Sequence, residues 1–192
     1  EFSGPGRYAA WARYWETRPG ERNGRRYQQL RHYATVVFDV PGNAATSSTA
    51  VANRYATLPE EASSFGAAVS NGWLYVYGGH VVPTHRYSTA SVSGRFNRLR
   101  LDRNGVWESL RPGPALQGMN LVAHAGRIYR VGGMQPVNPP GQAPDLRSVR
   151  EVARFDPATG IWDTVSPLPS PRSSHGVVVI GNNLIAVGGW NL

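Results

Sequence analysis

Three copies of one short segment constrain this chain most: an apolar, strand-like run that ends in two consecutive glycines. The copies span 74–79, 128–133 and 184–189, and their glycine pairs begin at positions 78, 132 and 188. The pairs therefore recur at a nearly constant spacing along the chain. A period of about 50 residues indicates one supersecondary unit that stacks beside copies of itself.

Each period also contains the signals of several short strands separated by turns. Turn residues such as Ser70-Asn71-Gly72 and Asn104-Gly105 divide the apolar runs, as in antiparallel hairpins. The predicted strands of the first complete period are 65–69, 73–77, 96–102 and 106–110, those of the second are 119–123, 127–131, 149–156 and 161–165, and those of the third are 175–180 and 184–187. Two more strands are predicted upstream, at 33–39 and 54–58.

Four short strands in a period of this length predict a β-propeller blade. The register supports this, because Phe65, Met119 and His175 precede their glycine pairs, at 78, 132 and 188, by the same distance. Trp107 and Trp162 follow the second glycines of their pairs, at 79 and 133, by nearly equal distances. The predicted fold is therefore all-β, with three four-stranded blades per chain, one of them split between the two ends of the sequence.

These residues resemble kelch repeats over roughly positions 33–192. The resemblance rests on the double glycines, on the segment from Phe155-Asp156 to Trp162, and on the segment 171–176, which opens the third period. It implies a kelch-type β-propeller with Trp107 and Trp162 packed between blades and with close backbone approach at the glycines Gly78, Gly79, Gly132, Gly133, Gly188 and Gly189. Two departures are Tyr55, at an expected tryptophan, and Leu101, at an expected aromatic position.

Three blades do not complete a ring, since propellers close with four to eight. The pattern favours a homodimer in which two chains form six blades and the last two strands of each chain pair with the first two of the other. Strand exchange of this kind would cover the open sheet edges. The alternative is that the missing blades belong to a longer chain.

Residues 1–30 are predicted to form a basic, aromatic N-terminal extension or loop, and residues 31–192 the propeller blades. Residues 9–16 could form a short helix with Trp11 and Trp15 on one face, or part of a long loop. The formal net charge is +8, every basic residue other than histidine is an arginine, and seven arginines with three glutamates lie in residues 1–31. This segment is either a polyanion-binding arm or a solvated stretch of an arginine-rich composition.

Several chemistries are excluded or unsupported. The chain has no cysteine, which removes disulfides, thiolate metal sites and the cysteine–tyrosine cofactor of kelch-like copper oxidases. No apolar run is long enough for a transmembrane helix, so no membrane partner is expected. No glycine-rich phosphate loop or nucleophile elbow is present. We therefore predict no catalytic residues, no metal and no cofactor, and we do not expect an enzyme.

The candidate ligand-binding residues are polar side chains on one predicted face of the propeller, where the second strand of each blade ends and the next blade begins. They are His80, His85, Arg86, Asp145, Arg147, Arg172 and His175. Six of them have a structural alternative: a polar loop for His80 and His85, turn hydrogen bonds for Arg172 and His175, and a solvated rim for Asp145 and Arg147.

The functional expectation is a scaffold whose loops bind a protein or a ligand, as the resemblance implies. One alternative is binding or turnover of a small anionic sugar at the central channel, as in the sialic-acid epimerases that kelch-like propellers resemble. A further alternative is polyanion binding through the arginine-rich N-terminus, although no nucleic-acid motif accompanies the charge. The sequence does not indicate a compartment.

Overall fold

The computed structural model describes residues 55–83, 86–101 and 105–192, and the backbone of two strands at 6–22 and 25–40. The chain forms two compact units, Glu1–Arg54 and Tyr55–Leu192. The sequence predicts a boundary earlier in the chain, between residues 30 and 31. Within the described part of Tyr55–Leu192, no helix is long and apolar enough to cross a membrane.

The first unit contains a long antiparallel hairpin of β1 (Gly6–Arg22) and β2 (Arg25–Val40), with Gly6 opposite Val40. The predicted helix over 9–16 is therefore wrong, because β1 runs through it. A short isolated helix is marginal without packing, whereas a strand gains a ladder of hydrogen bonds from its neighbour. The predicted strand 33–39 lies inside β2 and pairs there with β1.

The second unit contains two four-stranded antiparallel sheets and two two-stranded sheets. Three of these four sheets, numbered first to third in chain order, follow the predicted repeats. The first sheet has β3 (Gly66–Ser70), β4 (Trp73–His80), β5 (Val92–Arg100) and β6 (Trp107–Leu110), in that order. The second has β7 (Asn120–His124), β8 (Arg127–Val131), β11 (Val152–Asp156) and β12 (Ile161–Val165), again in chain order. The third has β13 (Gly176–Ile180) and β14 (Asn183–Val187). The four-stranded repeat predicted from the sequence is thus confirmed.

Two predictions about individual segments are wrong. Residues 55–58 of the predicted strand 54–58 are not in a strand. The long loop after β8 instead contains a further strand pair, β9 (Met134–Pro136) and β10 (Leu146–Ser148). The loop's prolines concealed this pair, because proline usually marks strand breaks or edges.

The innermost strands of the three sheets lie side by side, and backbone hydrogen bonds join the turns that precede them. The amide of Ser174 donates to the carbonyl of Gly118, and the amide of Gly118 donates to the carbonyl of Ser64, both at 2.7 Å. All three residues have positive φ, at 52°, 59° and 54°. The same local geometry therefore recurs at each blade, as a propeller requires.

The glycine pairs lie where the backbone of one sheet meets the connector of the next. The amide of Gly79 donates to the carbonyl of Leu116 and that of Gly133 donates to Arg172, each at 2.8 Å. A Cβ atom on Gly78 would lie 2.5 Å from the same Leu116 oxygen. A side chain is thus excluded sterically at this position, which has a φ of +64°.

The core lies between the first and second sheets and contains both aromatic and aliphatic side chains. Phe96 and Phe155 meet edge to face at 4.9 Å, and the Trp162 ring lies 5.1 Å from each. The Trp162 indole donates to the carbonyl of Arg111, and the Trp107 indole donates to that of Ala56. Each tryptophan therefore ties its sheet to the connector that precedes it.

This register corrects two positional assignments made from the sequence. Leu99 lies opposite Trp107 as Phe155 lies opposite Trp162, so Leu99, and not Leu101, takes the expected aromatic position. The cause is a β5–β6 connection slightly longer than that of β11–β12. Because Ala56 corresponds to Arg111, Tyr55 corresponds to Leu110 and not to a tryptophan.

Candidate binding face

Two long loops from different sheets are joined through one buried side chain, Asn138. Its side-chain amide donates to the carbonyl of Tyr87 at 2.7 Å, and its backbone carbonyl accepts from the amide of Thr89 at 2.9 Å. Its side-chain oxygen also accepts from the amide of Asp145 at 3.0 Å. Since all these bonds are made by a residue only 5% exposed, the two loops form one ordered surface.

The connector between the second and third sheets joins the same face. The Ser148 and Ser173 hydroxyls lie 3.0 Å apart, both buried. The amide of Arg172 donates to the carbonyl of Val149 at 3.1 Å. The end of β10 therefore holds the start of the third sheet, and the face extends over all three sheets.

A groove of about 580 Å³ runs between the two loops. Its walls are mostly apolar or proline, with one cationic side chain; they include Val82, Pro83, Arg86, Tyr87, Pro140 and Pro144. Arg86 is exposed and has no ion-pair or hydrogen-bond partner within the described residues. Stiff apolar walls beside such a cation suit a short extended segment that carries an acceptor or a negative charge.

His80 lies beneath the first loop. Its ring packs at a tilt against that of Tyr87 with centroids 5.4 Å apart, and its Nε2 lies 3.4 Å from the carbonyl of Pro83. Its Nδ1 has no partner in the described part of the chain. His85 lies outside the described residues. The described ranges contain no group of three histidine, cysteine, aspartate or glutamate side chains that could hold a metal ion.

His175 and Arg172 lie together at the start of the third sheet. The imidazole is 7% exposed, and neither ring nitrogen has a partner among the described residues. Burial lowers the pKa of His175, and the charge of Arg172 lowers it further. His175 is therefore neutral at physiological pH, and it offers an anion less attraction than the sequence suggested.

Asp145 and Arg147 form an exposed ion pair on the second loop, with Oδ2 and Nη2 2.9 Å apart. The hydrogen bond from Arg147 lowers the pKa of Asp145. Both charges are thus satisfied by each other and lie on a solvated rim. Of the predicted ligand residues, Arg86 lines the loop groove, whereas Arg172 and His175 do not.

The two residues that organise this face, Asn138 and Tyr87, are not among the predicted ligand residues. The dipeptide Asn138-Pro139 is a turn signal, so a structural role for the asparagine was readable. Its partners were not readable, because Tyr87 is distant in the chain and is brought close only by the packing of the sheets.

Comparison with curated proteins agrees with this geometry. Kelch-like protein terF of Aspergillus terreus is 26% identical over 157 residues, which cover 75% of this chain and 32% of that protein. Kelch-like protein 35 of Mus musculus is 26% identical over 127 residues, or 66% of this chain and 19% of that one. Kelch domain-containing protein 10 of Rattus norvegicus is 31% identical over 107 residues, or 52% and 26%. These relatives support the kelch-repeat family for this chain.

The solved structure of YjhT shares the fold of this chain. The two align with a TM-score of 0.57 and 17% identity, over 72% of this chain and 37% of YjhT. No protein-family model matches the sequence. The chain spans less than a third of the length of each of the three curated kelch relatives named here.

Proposed function

We propose that this kelch-repeat chain is a binding scaffold that presents the loop face to a protein partner. The observation that carries the proposal is the Asn138 junction, which holds two loops from different sheets as one surface. A preordered surface loses little conformational entropy on binding, and the groove beside it provides concave apolar area. The kelch-like relatives support a propeller scaffold.

The test is site-specific photo-crosslinking in cells that express the chain. A benzoylphenylalanine residue at Tyr87 reports on the loop face, and one at Asn182 reports on the β13–β14 turn, away from that groove. We expect one protein to crosslink at position 87 and not at position 182. Identical products at both positions, or none at position 87, would contradict the proposal.

A second candidate is a small anionic ligand at Arg172. It is favoured by the unpartnered nitrogens of the adjacent His175 within the described part of the chain. Titration of N-acetylneuraminic acid into the chain by calorimetry, with an Arg172→Gln variant as control, tests it. Binding that disappears in the variant supports this candidate, whereas no heat in either protein rejects it for that sugar.

A third candidate is polyanion binding through the seven arginines of residues 1–31. Heparin affinity measured between low and high salt tests it, because binding by counterion release weakens steeply with salt. Loss of the affinity on removal of residues 1–31 would support it. Unchanged affinity would locate any polyanion contact elsewhere.

We also propose that two chains close a six-blade ring in which the last two strands of each chain pair with the first two strands of the other. Support comes from the third sheet, whose outer strand β14 has no further neighbour in the described part of the chain. Light scattering on a sizing column should give twice the 20.9 kDa chain mass across a dilution series. A folded monomer at every concentration would contradict the ring.

A further inference from the structure

The third sheet exposes the side that its two predecessors bury. Val187, on β14, corresponds to Val131 and Tyr77 by its distance from the glycine pair. Val187 is 63% exposed, whereas Val131 is 2% and Tyr77 0% exposed. Other exposed apolar side chains of this sheet are Val178, Ile180 and Ile185. These four residues define the open face of the third sheet.

The backbone at the same edge is also unoccupied. Gly78 and Gly132 face the carbonyl oxygens of Leu116 and Arg172, but a Cβ on Gly188 would meet no atom within 4 Å. The amides of Gly79 and Gly133 donate to backbone carbonyls of the next connector, whereas the amide of Gly189 has no backbone acceptor within the described residues. The carbonyls of Ser64 and Gly118 each accept a hydrogen bond from a backbone amide of the next sheet's turn. Within the same described ranges, the carbonyl of Ser174 accepts no such bond.

The complementary groups are present at the other end of the same unit. Ala62 precedes Leu116 by the same interval that separates Gly78 from Gly132, so its carbonyl corresponds to those of Leu116 and Arg172. The amide of Ser64 corresponds to those of Gly118 and Ser174, and it has no backbone acceptor among the described residues. Val69, on the adjacent strand β3, is 59% exposed.

We infer that the open face of the third sheet binds the first sheet of a second copy of this chain. Gly189 then donates to Ala62 of the second copy, and the carbonyl of Ser174 accepts from the amide of its Ser64. The contact repeats, a third time, the arrangement that joins the first sheet to the second and the second to the third. It also buries apolar side chains on both surfaces.

A second copy is the occupant to which the inference commits, because the first sheet of this chain already carries each required group at the required register. The inference rests on the two-chain ring proposed above and names its contacts. It is independent of which ligand binds the loop face.

Disulfide trapping tests the contact, and the absence of cysteine makes the background clean. Chains carrying Ser64→Cys and chains carrying Ser174→Cys are prepared separately, mixed and oxidised. Both positions are exposed in the single chain. The expected product is a covalent dimer that appears in the mixture and not with either variant alone, since positions 64 and 174 meet only across copies.

The disulfide experiment has a positive control within one chain. A Cβ on Gly118 would lie 3.0 Å from the Ser174 hydroxyl, and this pair corresponds to Ser174 with Ser64 of a second copy. A chain carrying both Gly118→Cys and Ser174→Cys should therefore form an intrachain disulfide. If that control crosslinks and the mixture does not, the inferred contact is wrong.

A glycine substitution provides a second readout. Gly188→Ala should weaken association about tenfold or more, because the new methyl group would meet Ala62 of the second copy (a tenfold change is about 1.4 kcal/mol). Gly181→Ala is the matched control: it also has positive φ and open space, but lies in the β13–β14 turn. Equal dissociation constants for the two variants would overturn the inference.

The outcomes separate the contact from the ring. A dimer mass without the 64–174 crosslink would reject the contact and leave the ring to be closed through another surface. A monomer mass at all concentrations would reject both, and the open face would then be covered by further residues of a longer chain. Loop-face crosslinking at Tyr87 remains a separate measurement in either case.

Discussion

The phenol of Tyr77 and the guanidinium of Arg130 meet between the first two sheets, where Nη1 donates to the phenolic oxygen at 2.7 Å. The Tyr77 hydroxyl in turn donates to the carbonyl of Pro114 at 2.7 Å. Arg130 also pairs with Glu151 and lies over the rings of Tyr77 and Trp162. One buried cation thus joins two sheets and a connector.

Burial raises the pKa of Tyr77 to about 12, although the charge and hydrogen bond of Arg130 act in the opposite direction. The phenol therefore stays protonated and keeps donating over the physiological range. The corresponding position to Arg130 in the third sheet is Ala186. The network consequently cannot form there, so the third sheet depends on other contacts.

We predict that Tyr77→Phe lowers the free energy of unfolding by about 1–3 kcal/mol, because it leaves Arg130 Nη1 and the Pro114 carbonyl without a buried partner. Urea denaturation followed by tryptophan fluorescence measures this. Tyr129→Phe is the control, since its hydroxyl takes no part in this network. Equal losses in the two variants would show that the bond to Arg130 contributes nothing specific.

Gly132→Ala should destabilise the second unit by about 3 kcal/mol or more, because the residue has a φ of +56° and its new methyl group would meet the backbone carbonyl of Arg172. Gly160→Ala, with a φ of +72° and no atom within 4 Å, should cost only about 1–2 kcal/mol. Thermal unfolding of both variants checks the difference. Similar midpoint temperatures for the two variants would mean that the backbone at Arg172 shifts to accommodate the methyl group at little cost.

His175 should make stability depend on pH. Its folded pKa lies below the 6.5 of an ordinary imidazole, because burial and Arg172 disfavour the charged form. The unfolded chain therefore binds more protons in this range, so the contribution is complete above about pH 7.5 and is lost as the pH falls through 6.5.

The matched variant is His175→Met, since Met119 occupies the corresponding position of the second sheet. The unfolding free energy of the wild type minus that of this variant, measured from pH 8 to pH 5, should decrease as the pH falls. A constant difference would contradict the neutral, buried state of His175.

Asn138→Ala should uncouple the two loops while leaving the sheets folded. The expected signature is faster hydrogen exchange at the amide of Asp145, which loses its side-chain acceptor, and at that of Thr89, whose bond to the backbone carbonyl of residue 138 holds only while the two loops stay together. Gln142→Ala, on an exposed part of the same loop, is the control. If exchange at both amides is unchanged in Asn138→Ala, the loops are held together by other contacts.

The repeat architecture was readable from the sequence because its causes are local and recur. Apolar runs, tight turns and double glycines at a fixed period report strand length and blade boundaries without knowledge of distant partners. Failures occurred where the local signal was weak. The segment 9–16 lies in β1, and prolines around Met134 concealed β9.

The candidate binding face was only partly readable from the sequence. The sequence indicated which face carries the long loops, and Arg86 does line a groove there. The grouping of Arg86 with Arg172 and His175 did not follow, because side-chain direction within a loop depends on tertiary hydrogen bonds. Asn138 illustrates this, since its importance comes from Tyr87, Thr89 and Asp145 together.

The repeated four-stranded sheets of kelch type could be predicted from the sequence alone, because strand periodicity and turn residues act over a few positions. Only the tertiary structure decided how these sheets are joined: Arg130 buried against Tyr77, Asn138 between two loops, and Gly188 left open where Gly78 and Gly132 are covered. These features depend on residues far apart in the chain, whose proximity is created by the stacking of the sheets.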